Sequence, residues 1–433
     1  MNIVRSGFKV FTVTWIQIPL GIISNVLAIT SLGAEGRGLV VFSVSIATIL
    51  AVIGSISLPA SSIYFIRKGI CNKLETFFYF SSITVLFNVI FFLIYKFYGP
   101  VLIGTQFYKY FNYIFLICIL SMYINFFQSI YLGSEKVEIY SYIVIANSLI
   151  YFLAIFFYLV YLKKGPEYAL FSNILAMLCG ITIALYFFIK EEFRWKNIYL
   201  SLKSYKAFLN YGFRRYPSTI LPIFLNQIPN IYIGSYLSMQ ALGYYSVAMT
   251  AFNGLNSIPR SMNTLLFGRA SELKETESIN MTIKTSKGLV FITFLIVIIL
   301  SILLSFLIPI IFGQDFTASI LPTVILMTSV IFISSISALE AFLLSVNRPG
   351  YISYVNFIST ILILVLAYFL LDILGIVGMA LSLLLGRILK FIFFLKQFRK
   401  YSSKKSSLLF SSKKDVIYVF NTISTLFSRR KLT

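Results

Sequence analysis

Three arginines lie inside or at the edge of strongly apolar segments of this sequence. Arg214 and Arg215 occur together in YGFRRYPS, and Arg260 directly follows Pro259. A guanidinium group binds phosphate oxygens through paired hydrogen bonds, so the three arginines predict a cationic site for an anionic headgroup. Their alternative role is to anchor helix ends to lipid phosphate.

Glu340 is the most isolated acidic residue, within the apolar stretch ISSISALEAFLLS. A charge at the centre of a bilayer costs roughly 2.5–3.5 kcal/mol, so a carboxylate there is a functional candidate. Glu340 predicts either an ion-coupling group that takes up H⁺ or Na⁺, or a structural carboxylate that is paired with an arginine. Both interpretations stay open at this point.

Amide side chains in the apolar segments could contact sugar hydroxyls, but they serve equally well as hydrogen bonds between helices. The candidates for contact with sugar are Asn25, Asn226, Gln227, Asn230 and Asn256.

The sequence argues against several kinds of catalysis. It contains no histidine, and its three cysteines form no C-x-x-C pair. These absences exclude Ser-His triads and the common metal sites. The glycines of GAEGRG at residues 33–38 lack the G-x-G-x-x-G spacing of a nucleotide site, and we interpret them as a tight external turn. We therefore expect no enzyme, no metal and no cofactor.

The composition is that of a chain surrounded by lipid. Hydrophobic residues make up 59% of the 433 residues and charged residues 12%, against about 25% in soluble domains. Backbone groups find no water in hydrocarbon, so only helices or closed barrels span it. The apolar runs are about 20 residues long, which fits helices. The sequence thus predicts an all-α polytopic membrane protein.

Twelve spans are predicted from these runs, six in each half. The first six lie near 8–31, 38–66, 74–98, 107–131, 138–162 and 168–190, and the others near 207–237, 241–268, 283–312, 318–346, 350–371 and 375–398. We expect an N-terminal six-helix bundle over 1–200, a C-terminal six-helix bundle over 201–398, and a basic cytoplasmic tail over 399–433. The tail segment 416–427 is either an amphipathic surface helix or solvated.

Basic residues are distributed unevenly between the predicted loops. All but five of the 36 Lys and Arg residues fall on one side, the five being Arg37, Lys96, Lys109, Lys163 and Lys164. Cytoplasmic loops carry the excess of basic residues, so both termini are expected in the cytoplasm. Membrane topology thereby explains the net charge of +22, and we expect no nucleic-acid partner.

The two halves share features at a nearly constant offset. GLVVFS at Gly38 corresponds to GYYSV at Gly243, 205 residues later (243 minus 38). This favours a parallel duplication. Four prolines also correspond in pairs at offsets of about 200 residues, Pro19 with Pro222 and Pro59 with Pro259. Because proline bends helices, these four are candidate helix kinks beside a binding site. Membrane helices also tolerate proline with no functional role.

Four stretches carry a resemblance to a known family. They are LGAEGRGLVVFSVS at 32–45, LPASSIYFIRKG at 58–69, NQIPNIYIGSYLSMQALGYYSVAMTAF at 226–252 and IFGQDFTASILPTVIL at 311–326. In order and spacing they resemble the bacterial polysaccharide and O-antigen flippases of the multidrug/oligosaccharidyl-lipid/polysaccharide exporter superfamily. The resemblance extends over nearly the whole chain.

The resemblance implies two six-helix bundles in a V around a central cavity. It also implies alternating access that is driven by an ion gradient and moves undecaprenyl-pyrophosphate-linked oligosaccharide to the outer leaflet of the bacterial cytoplasmic membrane. The implied partners are that lipid, membrane lipids and the polysaccharide polymerase with its chain-length machinery. Many relatives carry Asp where Asn230 stands, so Asn230 cannot supply a coupling carboxylate.

Two other functions stay open. An ion-coupled multidrug or small-metabolite antiporter of the same fold would favour an acidic cavity, and Glu340 is the one acid that fits. A polytopic polymerase or glycosyltransferase would need a large external loop, whereas the longest external loop predicted here has about ten residues.

Overall fold

The computed structural model describes residues 3–103, 109–192, 201–270, 274–346 and 348–402. Within these ranges the chain is almost entirely helical and contains no β-strand, as the sequence predicted. The predicted tail segment 416–427 lies outside the described residues.

Eleven α-helices make up the described part of the chain. They are α1 (Ile3–Ser55), α2 (Leu58–Arg67), α3 (Lys73–Ile103), α4 (Phe111–Gly133), α5 (Val137–Ile155), α6 (Pro166–Glu192), α7 (Leu202–Tyr236), α8 (Met239–Ala270), α9 (Glu275–Phe312), α10 (Ile320–Ser345) and α11 (Pro349–Phe398). A π-helical segment, Phe156–Tyr161, continues α5, and a 3₁₀ segment, Gln314–Ser319, precedes α10.

Helix α1 is a hairpin of two arms, residues 3–32 and 34–55. At Gly33 the backbone adopts φ 66°, a conformation that glycine reaches without steric cost. On the second arm, Arg37 Nη2 donates a hydrogen bond of 2.6 Å to Asn25 Oδ1 on the first arm. In a straight helix these residues would be about 18 Å apart. The chain therefore turns back at Gly33.

Helix α11 reverses in the same way at Gly375, where φ is 56°. Its arms are residues 349–374 and 376–398. The Tyr351 hydroxyl donates to the carbonyl oxygen of Phe393 at 2.9 Å, although 42 residues separate the two. The predicted boundary between spans eleven and twelve is confirmed.

Eight helical segments of the described chain are long and apolar enough to cross a membrane. Two of them, in α1 and α11, are hairpins and supply two passes each. Helices α7 and α8 are less apolar, but with 35 and 32 residues they are long enough to span a hydrocarbon core of about 30 Å. Together these segments give the twelve predicted passes.

The second predicted span, 38–66, is not one continuous helix, which corrects the sequence prediction. Ile56 and Ser57 both have positive φ values, 46° and 58°, and they separate the second arm of α1 from α2. Pro59 lies in the first turn of α2, where its missing N–H leaves no hydrogen bond unmade. Ser57 Oγ lies 2.8 Å from Thr219 Oγ1 of α7, a contact that helps to hold the break.

The chain forms two compact units, residues 1–243 and 244–433. The predicted division into bundles at 200 and 398 stays a prediction. In the first unit, α1 packs against α4, α5, α6 and α7, and α2 packs against α4 and α7. Its core is largely aromatic; for example, Phe80 and Phe126 stack with centroids 4.2 Å apart.

One carboxylate joins three elements of the first unit. Glu191 Oε2, near the end of α6, lies 2.9 Å from Lys73 Nζ at the start of α3. The same oxygen lies 2.6 Å from Lys136 Nζ, just before α5. Glu191 therefore ties the ends of α3, α5 and α6 together.

The first unit also contains a very close helix crossing. A Cβ added to Gly38 would overlap the carbonyl oxygen of Met239, and one added to Gly243 would overlap that of Ala34. The two contacts are related by the repeat: adding 205 to residue 38 gives 243, and subtracting 205 from residue 239 gives 34. The crossing thus has the offset that the sequence repeat predicts, and small residues permit it.

In the second unit, α10 packs against both α9 and α11. The core between α10 and α11 contains Leu339, Phe342, Phe391 and Phe394, all buried. Between α9 and α10 the contact is partly polar, because Ser286 Oγ and Ser335 Oγ lie 2.6 Å apart. This packing fixes the side chains of the candidate site.

Candidate functional site

Arg387 lies near the middle of the second arm of α11. Its guanidinium donates a hydrogen bond to Ser329 Oγ on α10 and lies over the ring of Phe252 on α8, 4.2 Å from the ring centroid. Among the residues that the structure describes, Arg387 forms no ion pair with a carboxylate. The site thus holds a positive charge that the cation–π contact and one hydroxyl only partly compensate.

Two further groups of α8 surround this charge. Arg260 is near enough for its like charge to act on Arg387. The buried Tyr245 hydroxyl lies within range of the Arg387 charge, and within the described chain Tyr245 Oη has no hydrogen-bond partner. Residues 245, 252 and 260 share one side of α8 by helical spacing. We call Tyr245, Phe252, Arg260, Ser329 and Arg387 the arginine cluster.

The arginine cluster has the donor set that a phosphate or diphosphate needs. Two guanidinium groups supply charge and forked N–H donors, and the tyrosine supplies an O–H donor. An unneutralised pair of like charges is unfavourable on its own, because each repels the other. An anion placed between Arg260 and Arg387 would remove that repulsion.

Arg387 is not among the arginines predicted from the sequence, because the count of basic residues by side of the membrane includes it with the cytoplasmic ones. Yet Arg387 falls within the predicted span 375–398, where the cost of a buried charge marks it as a candidate. Lys390 is a basic residue within the same predicted span and is a candidate for the same reason.

Glu340 is paired with a lysine. Glu340 Oε1 on α10 lies 2.7 Å from Lys390 Nζ on α11, and each side chain is about one-fifth exposed (21% and 22%). If Glu340 is a structural carboxylate, the sequence predicts an arginine as its partner, but the structure shows that the partner is Lys390.

Arg214 and Arg215 belong to the first unit and Arg260 to the second. Both α7 arginines are exposed, and so is Arg260 on α8. The structure brings Arg260 together with Arg387 and describes no such cluster around Arg214. Contact of Arg214 and Arg215 with a diphosphate stays a prediction.

The predicted sugar-contacting amides fall into separate places. Asn25 accepts the hydrogen bond from Arg37. On α7, Asn230 Nδ2 donates to Ser45 Oγ at 3.0 Å and to Gln227 Oε1 at 3.4 Å, one turn from the half-buried Asn226. The side-chain amide oxygens (Oδ1) of Asn230 and of Asn256 on α8 are buried and have no hydrogen-bond partner in the described chain.

The four candidate kink prolines also differ in setting. Pro19 lies within the first arm of α1, and Pro59 begins α2 just after the break. Pro222 and Pro259 lie within α7 and α8, which stay helical through them. Pro259 is buried directly before Arg260.

Solved structures share this fold. An inward-facing multidrug resistance MATE family transporter of the MOP superfamily matches with a TM-score of 0.65 at 11% identity, covering 90% of this chain and 96% of that chain. The lipid II flippase MurJ in an inward closed conformation matches with a TM-score of 0.64 at 13% identity, covering 98% and 99%. At such identities the likeness shows the fold alone. A search of the curated proteins found no match.

The family follows from a separate comparison. The family model described as polysaccharide biosynthesis protein matches residues 3–274, well over half of the chain. This match confirms the resemblance seen in the sequence motifs. It shows that the chain belongs to the polysaccharide biosynthesis protein family.

Proposed function

We propose that this chain is a flippase that moves undecaprenyl-pyrophosphate-linked oligosaccharide units from the inner to the outer leaflet of the bacterial cytoplasmic membrane. The chain is a multi-pass membrane protein of a transporter and flippase fold, and its family is named for polysaccharide biosynthesis. The identity of the lipid, the membrane and the direction of transport are the proposed part.

The observation that carries the proposal is the arginine cluster. A diphosphate that crosses hydrocarbon needs positive partners, because an unpaired charge there is costly. Arg387 and Arg260 are both free of carboxylate partners in the described chain, and Tyr245 has an unused hydroxyl donor. An organic cation would be repelled by the same site, which disfavours the multidrug antiporter.

The sugar part of the cargo is proposed to contact amides. The buried carbonyl oxygens of Asn230 and Asn256 lack donors, and sugar hydroxyls are donors of the right kind. Asn25 is a weaker candidate, since Arg37 already occupies its carbonyl oxygen.

Membrane orientation and partners complete the proposal. Both termini are proposed to lie in the cytoplasm, because the predicted loops and the tail on that side hold most of the Lys and Arg residues outside the spans. The polymerase and chain-length machinery would receive the transported units on the opposite side.

A deletion strain complemented with variants tests this function. Deleting the gene should abolish surface polysaccharide and leave lipid-linked units on the inner leaflet. Arg387→Ala should lower the transport rate about 10–100-fold, the loss expected when a hydrogen-bonded charge worth about 1.5–3 kcal/mol is removed. Arg387→Lys should retain part of the activity, since charge remains without the fork. Surface polysaccharide that is unchanged by the deletion would refute the proposal.

Lys396→Ala is the matched control, because Lys396 is an exposed basic residue of the same helix arm. Protein amount and melting temperature are measured for every variant. If Arg387→Ala and Lys396→Ala transport equally well at equal amounts, the arginine cluster does not bind the cargo.

A further inference from the structure

The break between α1 and α2 has a backbone conformation that its own residues disfavour. Ile56 and Ser57 both have positive φ values, 46° and 58°. A β-branched residue such as isoleucine rarely adopts a positive φ, and serine does so at a steric cost. At the hairpin turns of α1 and α11, in contrast, the residue with positive φ is a glycine, Gly33 or Gly375. The α1–α2 break is therefore strained in a way that the two hairpin turns are not.

Two side chains of α7 bind the strained segment. Thr219 Oγ1 lies 2.8 Å from Ser57 Oγ. The Tyr216 hydroxyl donates a hydrogen bond of 3.4 Å to the carbonyl oxygen of Ile53. In a continuous helix that oxygen would accept from the Ser57 N–H, four residues further along. A strained conformation persists only where surrounding groups hold it, and α7 supplies such groups here.

The backbone of α7 also lies against the break. A Cβ added to Gly212 would lie 2.9 Å from the carbonyl oxygen of Ile56 and 2.8 Å from Cδ2 of Leu58. Gly212, Tyr216 and Thr219 are spaced by four and three residues, so they share one side of α7. A single shift or rotation of α7 would therefore loosen all three contacts together.

The part of α7 that holds the break also carries the two arginines that are predicted to contact an anion. Arg214 and Arg215 lie between Gly212 and Tyr216 and are exposed. Pro217, the next residue, lies within α7 and lacks the N–H that would complete the helix ladder at this level. An anion bound by these arginines would act on a turn of α7 that is already weakened. The contacts to the break lie on that same turn and the next.

We propose that the α1–α2 break is a conformational switch of the transport cycle. Helix α7 holds it strained in the conformation described here. When α7 shifts, Ser57 separates from Thr219, and Ile56 and Ser57 relax to the negative φ values of a helix. The angle between the second arm of α1 and α2 changes as a result. Release of the strain offsets part of the cost of losing the contacts to α7. The inference rests on the proposed function for its transport measurement.

A disulfide across the contact tests whether it opens during transport. Ser57→Cys and Thr219→Cys are combined in a protein whose three native cysteines are replaced by alanine. The purified protein is reconstituted into liposomes that contain undecaprenyl-pyrophosphate-linked oligosaccharide, and mass spectrometry verifies the disulfide. Oxidation should slow transport at least about tenfold, and reduction should restore it. Ser286→Cys with Ser335→Cys is the matched control, because this hydroxyl pair, 2.6 Å apart, joins α9 and α10 away from the break. Its oxidation should leave transport unchanged.

Melting temperature tests the strain without any transport. Ile56→Gly and Ile56→Ala differ by one methyl group, and glycine adopts a positive φ without steric cost. Ile56→Gly should therefore melt about 2–4 °C above Ile56→Ala. Ile49, a helical residue of the second arm of α1, is the matched control. There the order should be reversed, because alanine is the better helix former.

Each measurement has a result that would overturn the inference. Equal transport by the oxidised and reduced forms of the Ser57→Cys/Thr219→Cys protein would show that the contact stays closed. Melting of Ile56→Gly below Ile56→Ala would show that the break is not strained. If the wild type and the cysteine-free protein both fail to move the lipid, the proposed function fails instead, and the melting comparison still reports on the break.

Discussion

Replacing Gly243 with alanine should destabilise the first unit, because the new methyl group has no space. Its Cβ would overlap the carbonyl oxygen of Ala34 and lie 2.7 Å from the Ala34 Cα. Both obstructing atoms are backbone and cannot rotate away, so α8 and the second arm of α1 must separate. Overpacking costs about 1–3 kcal/mol, and alanine returns about 1 kcal/mol of helix propensity. Because backbone atoms obstruct the methyl group, the cost falls in the upper part of this range, about 2–3 kcal/mol, which leaves a net loss of about 1–2 kcal/mol.

The measurement is the apparent melting temperature of the purified protein, which should fall by about 2–5 °C. Gly21→Ala is the matched control, since Gly21 is a helical glycine of α1 with no neighbouring atom within 4 Å of an added Cβ. That variant should be as stable as the wild type or slightly more stable.

A double variant of Gly38 and Gly243 tests whether both glycines belong to the same helix crossing. Gly38→Ala pushes apart the same two helices, because its Cβ would overlap the carbonyl oxygen of Met239. Once one methyl group has separated the helices, the second costs less, so the double variant should lose less than the sum of the two single losses. Melting of Gly243→Ala at the same temperature as Gly21→Ala would refute the close crossing.

Three further predictions concern other parts of the chain. Burial raises the pKa of the Cys71 thiol, between α2 and α3, to about 11. At pH 8 only about one Cys71 thiol in a thousand is then ionised. Labelling with a maleimide, measured by mass spectrometry, should therefore be slow in the folded protein. It should accelerate towards pH 11 and be fast in denaturant. Glu191→Gln should lower the melting temperature, because Lys73 and Lys136 lose the carboxylate that they share. Glu167→Gln is the control and should have almost no effect, since both side chains of its pair with Lys109 are exposed (46% and 63%). If the predicted topology holds, a membrane-impermeant maleimide added to whole cells should label Lys163→Cys but not Glu135→Cys; the reverse pattern would invert the proposed orientation.

Sequence reasoning could predict the class of fold because lipid imposes one strong rule on the backbone. Runs of about 20 apolar residues must be helices, and Gly33 and the boundary near residue 375 were recognisable as turns. The break at Ile56 and Ser57 was not predictable, because neither residue type favours a positive φ and tertiary contacts such as Ser57–Thr219 hold it.

The candidate site was predicted only in part for a similar reason. Arg260 was recognisable from its position beside Pro259 in an apolar segment. Its proximity to Arg387 depends on the packing of α8 against α11, which joins residues more than 120 positions apart in the chain. The count of basic residues by side of the membrane also left Arg387 and Lys390 unrecognised. Such a count does not distinguish a basic residue inside a span from one in the loop or tail beyond it.

The one-residue turn at Gly33 has a consequence for how the protein is made. Two helical arms joined so tightly can enter the bilayer from the translocon only as a pair. Arg37, buried just after the turn, already has its hydrogen-bond partner Asn25 on the other arm of this pair. The nascent hairpin therefore supplies, from its own first arm, one hydrogen-bond partner for the buried Arg37 side chain.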